Sequence, residues 1–271
     1  MKPTVRLSEL TRMKKLLRKA KLRTVCEESR CPNISDCFSR STATFLILGK
    51  SCTRRCSFCN VSKSLPALPD PSEPYRLLKA VKALNLSFVV VTSPTRDDLP
   101  DGGASQFARC VELLKRHGVK TEVLVPDFKG CPRALETVLA AGPAVFAHNL
   151  ETVPRLYPRV RKGADFNRSL ELLRRAKQLS PDTPVKSALI LGFGEKKEEV
   201  LGVMERLRKA GVDGLVIGQY YPPSLKHHRL VKLYTEEEFR FFEEKGKEMG
   251  FRFVVARPNA RSSYRAAELI R

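Results

Sequence analysis

The chain has 271 residues, of which 42% are hydrophobic, and it carries a formal net charge of +21. This length and composition allow one large α/β domain or two small ones, and no stretch approaches the ~18 consecutive apolar residues that a membrane-spanning helix requires. The positive charge favours anionic partners, whether nucleic acid, a membrane surface or an acidic protein, but does not choose among them.

The N-terminal region is basic and weakly amphipathic, with Leu10, Met13, Leu16 and Leu17 on one helical face. It lacks the apolar core of a secretory signal peptide. A mitochondrial transit peptide has a similar pattern, but the first cysteine cluster already begins at Cys26, which leaves little chain to remove. Eight cysteines without a secretory signal indicate a reducing compartment, in which clustered thiols bind metal. We therefore expect the cytoplasm rather than a mitochondrion or plastid.

Beyond residue 43, short apolar runs alternate with amphipathic helical segments. The predicted strands are TFLILG (44–49), SFVVVTS (87–93), TEVLVP (121–126), AVFAHN (144–149), VKSALILG (185–192), GLVIGQY (214–220) and FRFVVA (251–256). The predicted helices between them include 75–84, 105–117, 167–179, 196–210 and 236–249. Strand and helix alternating at a spacing of roughly thirty residues predict successive βα units around a parallel sheet.

The polar clusters of this pattern indicate a barrel, because each falls just after a strand, where barrel enzymes collect their catalytic groups. We therefore predict an α/β protein with a partial parallel (β/α)6 TIM-type barrel and N- and C-terminal extensions. The predicted divisions are an extension over 1–40, the barrel over 41–256 and a C-terminal extension over 257–271. No linker or repeat supports a second full domain.

A cysteine triad, Cys52-x3-Cys56-x2-Cys59, directly follows the first predicted barrel strand. Thiolates are the ligands that iron–sulfur clusters require. Three ligands on a four-iron cluster leave one iron open, as a catalytic site requires. The alternative is a zinc knuckle, which needs a fourth Cys or His at similar spacing, whereas the next histidine is His117. The spacing, with an aromatic residue (Phe58) before the last cysteine, resembles the radical S-adenosylmethionine enzymes.

The triad at Cys52 is the second in chain order, and the first triad, Cys26-x4-Cys31-x5-Cys37, precedes the barrel. By itself it fits a static second cluster for electron relay or a zinc site closed by a histidine. The run TVCEESRCPNISDCFSRSTATFLILG, together with RDDLPDGGA (96–104), VPDFKG (125–130), HNLETVPRLYPRVR (148–161), KSALILGFGE (186–195), GQY (218–220) and RSSY (261–264), resembles the lipoyl synthase family over almost the whole chain.

That resemblance implies two four-iron, four-sulfur clusters and S-adenosylmethionine. The triad at Cys52, Cys56 and Cys59 would carry the catalytic cluster, whose open iron takes the cofactor and yields a 5′-deoxyadenosyl radical. An auxiliary cluster, the sulfur donor, would be held by Cys26, Cys31, Cys37 and Ser263, with Ser262 as the second choice for the serine ligand. The implied reaction inserts two sulfur atoms at the sixth and eighth carbons of an octanoyl-lysine on a carrier protein.

Polar groups at the strand ends are the candidates to hold S-adenosylmethionine beside Phe58. By resemblance they are Thr92, Ser93, Asn149, Glu151, Lys186 and Gln219. Each is otherwise an ordinary polar residue of a barrel mouth. The sequence also departs from the family pattern at Pro94 and Thr95, at Ala147 and in the ARPNA run (256–260), which places Arg257 beside the auxiliary cluster.

The resemblance also implies partners. These are an octanoylated acidic lipoyl carrier domain, from a 2-oxoacid dehydrogenase E2 component or the glycine-cleavage H protein, and an electron donor such as ferredoxin or flavodoxin. We expect a monomer that binds neither a membrane nor nucleic acid. The alternative is a divergent two-cluster sulfur-transfer enzyme resembling tRNA methylthiotransferases, which suits the charge but brings a separate RNA-binding domain. A non-catalytic zinc module does not fit the three-ligand spacing.

Overall fold

The structure, a computed structural model, describes residues 7–20, 22–28, 33, 43–264 and 266–270. Its strands form one eight-stranded sheet in the order β1 to β8, each strand pairing with the next along the chain. The strands are β1 (Arg23–Thr24), β2 (Thr44–Leu46), β3 (Phe88–Thr92), β4 (Lys120–Leu124), β5 (Val145–Ala147), β6 (Val185–Leu191), β7 (Gly214–Gln219) and β8 (Phe253–Ala256).

The helices flank this sheet, and the five that were predicted lie within two residues of their predicted bounds. They are α1 (Leu7–Lys19), α2 (Val25–Glu28), α3 (Glu73–Ala83), α4 (Ala104–Arg116), α5 (Pro132–Ala140), α6 (Tyr157–Val160), α7 (Phe166–Leu179), α8 (Lys197–Lys209) and α9 (Glu236–Glu248), with short 3-10 turns at Phe128–Gly130, Pro154–Leu156 and Ala266–Ile270. None of the helices in the described ranges is both long and apolar enough to cross a lipid bilayer.

The sheet is parallel from β2 to β8, and only the two-residue β1 runs antiparallel to its neighbour. Among the described strands, β8 pairs with β7 alone, so the barrel stays open on one side. The predicted α/β class and partial parallel barrel are confirmed. The strand at β2 ends earlier than predicted, because Leu48 and Gly49 have φ of 63° and 84° and turn the chain away.

Both faces of the sheet are buried, which explains the near-continuous apolar runs of its strands. Phe45, Val91 and Phe146 point outward and pack under the helices in the main core. Ala188, Val216 and Val255 point inward and form a small apolar cluster inside the barrel. The interior is therefore lined largely by small and aliphatic side chains.

Parallel strands bring their C-terminal ends to one mouth of the barrel. The loop after β2 carries the second cysteine triad, and the loops after β3, β5 and β7 carry predicted polar residues. The division into extensions over 1–40 and 257–271 stays a prediction, since much of the first range lies outside the described residues.

Candidate active site

The loop that carries the second triad, residues 52–59, is called the cysteine loop. Thr53 joins it to the loop after β3: its amide N and its Oγ1 both donate to the carbonyl oxygen of Thr95, each at 3.0 Å. The amide N of Asp97 donates back to Thr53 Oγ1 at 3.0 Å. The cysteine loop is thus bonded to a neighbouring strand end next to its first cysteine.

Arg54 joins the same loop to two further segments. Its guanidinium donates to both carboxylate oxygens of Asp97, at 2.8 and 3.0 Å, and to both oxygens of Asp127, at 2.9 and 2.5 Å. Asp127 is fully buried and also accepts from Arg168 at 2.9 Å. Bidentate arginine–carboxylate pairs fix direction as well as distance, so Arg54 sets where the cysteine loop lies.

The charges of this network stabilise each other. Burial alone would lower the pKa of Arg54, but hydrogen bonds and charges from Asp97 and Asp127 outweigh it and raise the pKa above its ordinary value. Burial alone would raise the pKa of Asp127, and Arg54 instead keeps that pKa well below its usual range. Both groups are therefore ionised at neutral pH.

The three thiols of the cysteine loop are half-buried and make no disulfide. Burial raises the pKa of Cys56 to about 11, although the positive charge of Arg161 opposes the shift. Burial likewise raises the pKa of Cys59. The amide N of Arg54 donates to Cys52 Sγ at 3.4 Å. Buried thiols of raised pKa become thiolates when a metal replaces their protons, so this loop suits iron–sulfur ligation.

A cavity of about 530 Å³ opens at the mouth of the barrel beside this loop. It is lined by Cys26 of the first triad, Cys59 of the second triad and Ser263 of the RSSY motif. Cys26 and Ser263 lie more than two hundred positions apart in the sequence. The fold brings them to the wall of one cavity.

The cofactor-binding candidates fall mostly on this wall. Those that line the cavity are Phe58, Thr92, Ser93, Asn149, Glu151 and Gln219. Ser93 Oγ and Asn149 Oδ1 are buried there without a hydrogen-bond partner among the described residues. Buried polar atoms are almost always bonded in a protein, so a polar ligand in the cavity would satisfy both. The residues present therefore fit a polar cofactor such as S-adenosylmethionine.

Glu151 is held in a strained conformation at the cavity wall. Its φ is +66°, in the left-handed region that disfavours side chains. Its backbone is fixed to β6, since its amide N donates to Ala188 and its carbonyl oxygen accepts from Ile190. Asn149 Nδ2 donates to its carboxylate at 3.0 Å. Strain of about 1–3 kcal/mol persists where the surroundings enforce it, typically at functional sites.

Lys186 is not brought to the cavity. Its side chain is fully buried, and its ammonium lies 2.5 Å from the carboxylate of Glu122, across the barrel interior from β6 to β4. The geometry gives no support to the predicted contact between Lys186 and the cofactor. A buried lysine requires such a partner, and this one is 64 residues away in sequence.

Gln219 and Thr92 line the cavity but have protein partners. Gln219 Nε2 donates to the carbonyl oxygens of Leu191, Tyr220 and Lys232, and its Oε1 accepts from the amide N of Tyr234. Thr92 Oγ1 donates to the carbonyl oxygen of Leu124. Both side chains therefore also hold the cavity wall together.

The first triad approaches the cavity from the N-terminal segment. Cys26 is buried at the start of α2, and Asn60 Nδ2 donates to the carbonyl oxygen of Glu28 at 2.9 Å, which joins the two triad regions. Asn33, between the second and third cysteines, donates through Nδ2 to the carbonyl oxygen of Asn259 at 2.5 Å. The predicted ligands Cys31 and Cys37 lie outside the described residues.

Residues 257–264, called the serine segment, follow β8. The amide N of Arg257 donates to the carbonyl oxygen of Ile217 at 3.0 Å, and the amide N of Gln219 donates to that of Pro258 at 3.1 Å. Ser262 and Ser263 both line the cavity. In the described part of the chain, no three His, Cys, Asp or Glu side chains are placed to share a single metal ion.

Two arginines of the site were not among the predicted residues. Arg54 is one of them. The sequence could have indicated it, because it is a charged residue between two cysteines and two aspartates, Asp97 and Asp127, follow later strands. Arg161 is the other: its Nη1 donates to Tyr157 Oη at 2.9 Å, and its charge acts on both Cys56 and Glu151. Arg161 therefore brings positive charge close to Cys56, whereas the charge of Arg54 is paired with Asp97 and Asp127.

Comparison with known proteins agrees with this site. The sequence profile of the Radical SAM superfamily matches residues 46–207. A protein of Aquifex aeolicus (strain VF5) named lipoyl synthase is 63% identical over 270 residues, covering 99% of this chain and 98% of that protein. The chain belongs to the lipoyl synthase family. A lipoyl synthase of Nitrosomonas eutropha is 51% identical over 257 residues, covering 94% of this chain and 82% of that protein.

Solved structures support the fold at much lower identity. The FeFe-hydrogenase maturase HydG from Carboxydothermus hydrogenoformans superposes with a TM-score of 0.64 at 14% identity, over 97% of this chain and 68% of that one. Methylornithine synthase (PylB) superposes with a TM-score of 0.59 at 15% identity, over 90% of this chain and 81% of that one. Streptococcus suis SuiB superposes with a TM-score of 0.64 at 12% identity, over 96% of this chain and 55% of SuiB.

Membership of the lipoyl synthase family confirms the resemblance stated from the two triads and the RSSY motif. It makes the chain a radical S-adenosylmethionine enzyme that inserts sulfur, and it favours that interpretation over the methylthiotransferase-like alternative. S-adenosylmethionine and iron–sulfur ligation follow from the family, while the number of clusters belongs to the proposal below.

Proposed function

We propose that this enzyme inserts two sulfur atoms into the sixth and eighth carbons of an octanoyl chain amide-linked to a lysine of a carrier protein. The observation that supports this best is the single cavity lined by Cys26, Cys59 and Ser263. An enzyme that makes a carbon radical and quenches it with sulfur needs both centres beside one substrate. One cavity that joins both triads meets that requirement.

Two four-iron, four-sulfur clusters would be held by two ligand sets. Cys52, Cys56 and Cys59 would hold the first, and Cys26, Cys31, Cys37 and Ser263 the second. When bound, these groups supply the electron that cleaves S-adenosylmethionine and the sulfur that enters the product. A serine hydroxyl is a weaker ligand for iron than a thiolate, which suits a cluster that gives up its sulfur.

The cavity wall divides into a polar side and an apolar side. Ser93, Asn149 and Glu151 form the polar side, where the amino, carboxylate and ribose groups of S-adenosylmethionine would find hydrogen-bond partners. Leu46 and Val216 belong to the apolar side, which continues into the barrel interior. An octanoyl chain is apolar along its length, so its burial there is favourable by about 0.8 kcal/mol per CH₂ group.

The remaining partners follow from this chemistry. The substrate is an octanoylated lipoyl carrier domain, from a 2-oxoacid dehydrogenase E2 component or the glycine-cleavage H protein, and ferredoxin or flavodoxin supplies the electrons. The charge of +21 would steer an acidic carrier towards the enzyme. The cytoplasm and a monomeric state remain part of the proposal.

Anaerobic turnover tests the proposal directly. The reconstituted enzyme is incubated with reductant, S-adenosylmethionine and an octanoylated lipoyl domain, and the domain is weighed by mass spectrometry. We expect a gain of two sulfur atoms, with two hydrogen atoms lost once the two thiols close to a disulfide. Formation of deoxyadenosine without any sulfur in the domain would contradict the proposed substrate.

The fourth ligand of the auxiliary cluster is tested with Ser263→Ala against Ser262→Ala. Both serines line the cavity, so the pair is matched in position and chemistry. We expect Ser263→Ala to cleave S-adenosylmethionine but to lose sulfur insertion, and Ser262→Ala to keep both activities within a few-fold. Equal sulfur insertion by the two variants would show that Ser263 is not the ligand.

A further inference from the structure

The segment between β7 and α9, residues 221–233, borders the mouth of the cavity and is called the mouth segment. Tyr221, Pro222 and Pro223 belong to the cavity wall. Arg261 of the serine segment lies over the ring of Tyr221, with its guanidinium carbon 5.9 Å from the ring centroid. The mouth segment therefore forms part of the rim of the cavity.

The backbone of the mouth segment is fixed at several points. The amide N of His228 donates to the carbonyl oxygen of Ser57 in the cysteine loop at 2.9 Å, and Tyr220 Oη donates to the carbonyl oxygen of His228 at 2.9 Å. The amide N of Val231 donates to the carbonyl oxygen of Gly192 at 2.8 Å. The outward side chains of the segment therefore stand on a backbone that is already ordered, which lowers the entropic cost of binding.

Those outward side chains are unusually apolar. Leu225 is fully exposed, and Val231 and Leu233 are each about 60% exposed. Tyr221 is 43% exposed at the cavity edge. Single exposed apolar residues need no explanation, but several within one short segment at the mouth of a site indicate an interaction surface.

The same segment is basic. It contains no Asp or Glu, and Lys226 and Arg229 are exposed and have no carboxylate partner among the described residues. Lys232 is paired with Glu238 at 2.5 Å and so contributes less net charge. Aliphatic side chains between unpaired cations suit a protein surface that combines acidic groups with an apolar patch.

We propose that the mouth segment is the docking surface for an acidic carrier domain whose acylated lysine enters the cavity. The inference rests on the proposed function, because only a protein-bound substrate needs such a surface. The alternative occupant is RNA, but base stacking uses aromatic platforms, and Tyr221 is the one Phe, Tyr or Trp residue of residues 221–233. In the complex, Leu225 would be buried against the carrier, and Lys226 and Arg229 would pair with acidic groups of the carrier.

A charge-reversal pair tests the docking surface. Lys226→Glu/Arg229→Glu is compared with Lys82→Glu/Lys120→Glu, which changes the net charge equally at exposed positions on the end of the barrel where strands begin. Each enzyme is titrated with an octanoylated acidic lipoyl domain in a direct binding assay. Turnover is then measured with that domain and with a short octanoyl-lysine peptide that lacks the carrier surface.

We expect the mouth-segment variant to bind the domain about 10–100-fold more weakly, and the difference from wild type to shrink as salt rises. The control pair should lose less than about threefold through the long-range field. The peptide should be converted at a similar rate by both variants. Leu225→Asn should also weaken binding of the domain, with no change in its salt dependence.

Equal affinities of the two charge-reversal variants for the domain would overturn the inference. So would binding of a transfer RNA, in place of the domain, that is lost in the Lys226→Glu/Arg229→Glu variant. Failure of the proposed function has a different signature, since the wild-type enzyme would then add sulfur to neither the domain nor the peptide. The binding assay still decides the docking surface in that case.

Discussion

The cysteine loop and the serine segment meet at one cavity but are held there by different forces. The cysteine loop is fixed by charge: Arg54 makes bidentate pairs with Asp97 and Asp127, in a site from which water is largely excluded. The serine segment is fixed by main-chain hydrogen bonds to β7, with Ala260 packed directly over Gly218.

This difference shows how the two ligand sets depend on the rest of the protein. The loop with three cysteines is oriented by a residue inside its own motif, so the motif contains both the ligands and the group that positions them. The serine segment depends on close approach to a strand that it does not belong to. A change in that strand, outside both motifs, should therefore affect the serine segment selectively.

The largest expected effect comes from the cysteine loop itself. Cys59→Ala removes one of three ligands of the proposed catalytic cluster, and we expect S-adenosylmethionine cleavage to fall to background. Iron should drop from about eight to about four per chain. Both are measured anaerobically, by deoxyadenosine formation and by iron analysis of the reconstituted protein.

Cys131→Ala is the matched control. Cys131 is a half-buried free thiol before α5, outside both triads, so its removal should leave iron content and cleavage unchanged. If Cys59→Ala kept eight irons per chain, the assignment of the cysteine loop to a cluster would be wrong.

The next effect separates the two regions through a position in neither motif. A Cβ on Gly218 would lie 2.1 Å from the carbonyl oxygen of Ala260. Gly218→Ala should therefore displace the serine segment, at a cost of about 1–3 kcal/mol for overpacking. We expect sulfur insertion and the auxiliary iron to be lost, while deoxyadenosine formation persists.

Gly202→Ala in α8 provides the comparison, because a Cβ there meets open space. That variant should be slightly more stable, by about 0.5–1 kcal/mol, since alanine favours a helix. Loss of S-adenosylmethionine cleavage in Gly218→Ala, together with sulfur insertion, would show that the two regions are not positioned independently.

The third prediction tests the charged support of the cysteine loop. Arg54→Gln leaves Arg168 as the one ion-pair partner of the buried Asp127 among the described residues, and removing one partner of a buried ion pair costs about 3 kcal/mol or more. Arg54→Lys keeps the charge but loses the bidentate geometry, so it should recover only part of that loss. The free energy of unfolding, from denaturant titration, measures both.

Arg55→Gln changes the neighbouring exposed arginine of the same motif, where surface substitutions usually stay within about 0.5 kcal/mol. We expect Arg55→Gln to be the most stable of the three variants, Arg54→Lys to be less stable and Arg54→Gln to be the least stable. Equal stability of the Arg54 and Arg55 variants would contradict the view that charge fixes the loop.

The barrel was predictable because its strands are buried on both faces and therefore appear as apolar runs. The exception is β1, since two residues, Arg23 and Thr24, are too few to form a pattern. Strand ends were less predictable: the turn at Leu48 and Gly49 depends on backbone angles that the apolar run TFLILG does not reveal.

Within the site, motif spacing predicted Cys59 and the RSSY resemblance predicted Ser263, and both line the cavity. Side-chain partners were not predictable. Lys186 was predicted by resemblance to contact the cofactor, whereas its side chain pairs with Glu122 on a strand two positions away in the sheet. Arg54 was overlooked for the same reason, since its carboxylate partners lie 43 and 73 residues further along the chain.

The smallest expected effect concerns pH and the charged network. His148 is fully buried, its Nδ1 lies 2.8 Å from the carbonyl oxygen of Val125, and burial lowers its pKa to about 3. In the unfolded chain the same imidazole binds a proton below about pH 6.5. Acidification within that interval therefore favours unfolding. Between about pH 7.5 and about pH 5.5 the histidine should contribute a loss of about 1.4 kcal/mol.

His148→Gln removes this titratable group, so comparison with wild type isolates the contribution of His148 to the pH dependence of the unfolding free energy. The ion pair of Arg54 with Asp127 should add no slope in this interval, because Arg54 lowers the pKa of Asp127 in the folded protein and an aspartate of the unfolded chain also ionises well below the interval. The difference in unfolding free energy between wild type and His148→Gln should thus shrink or reverse towards acid. A difference that is constant with pH would mean that His148 takes up its proton over the same pH interval in the folded and the unfolded protein, and so that burial does not lower its pKa.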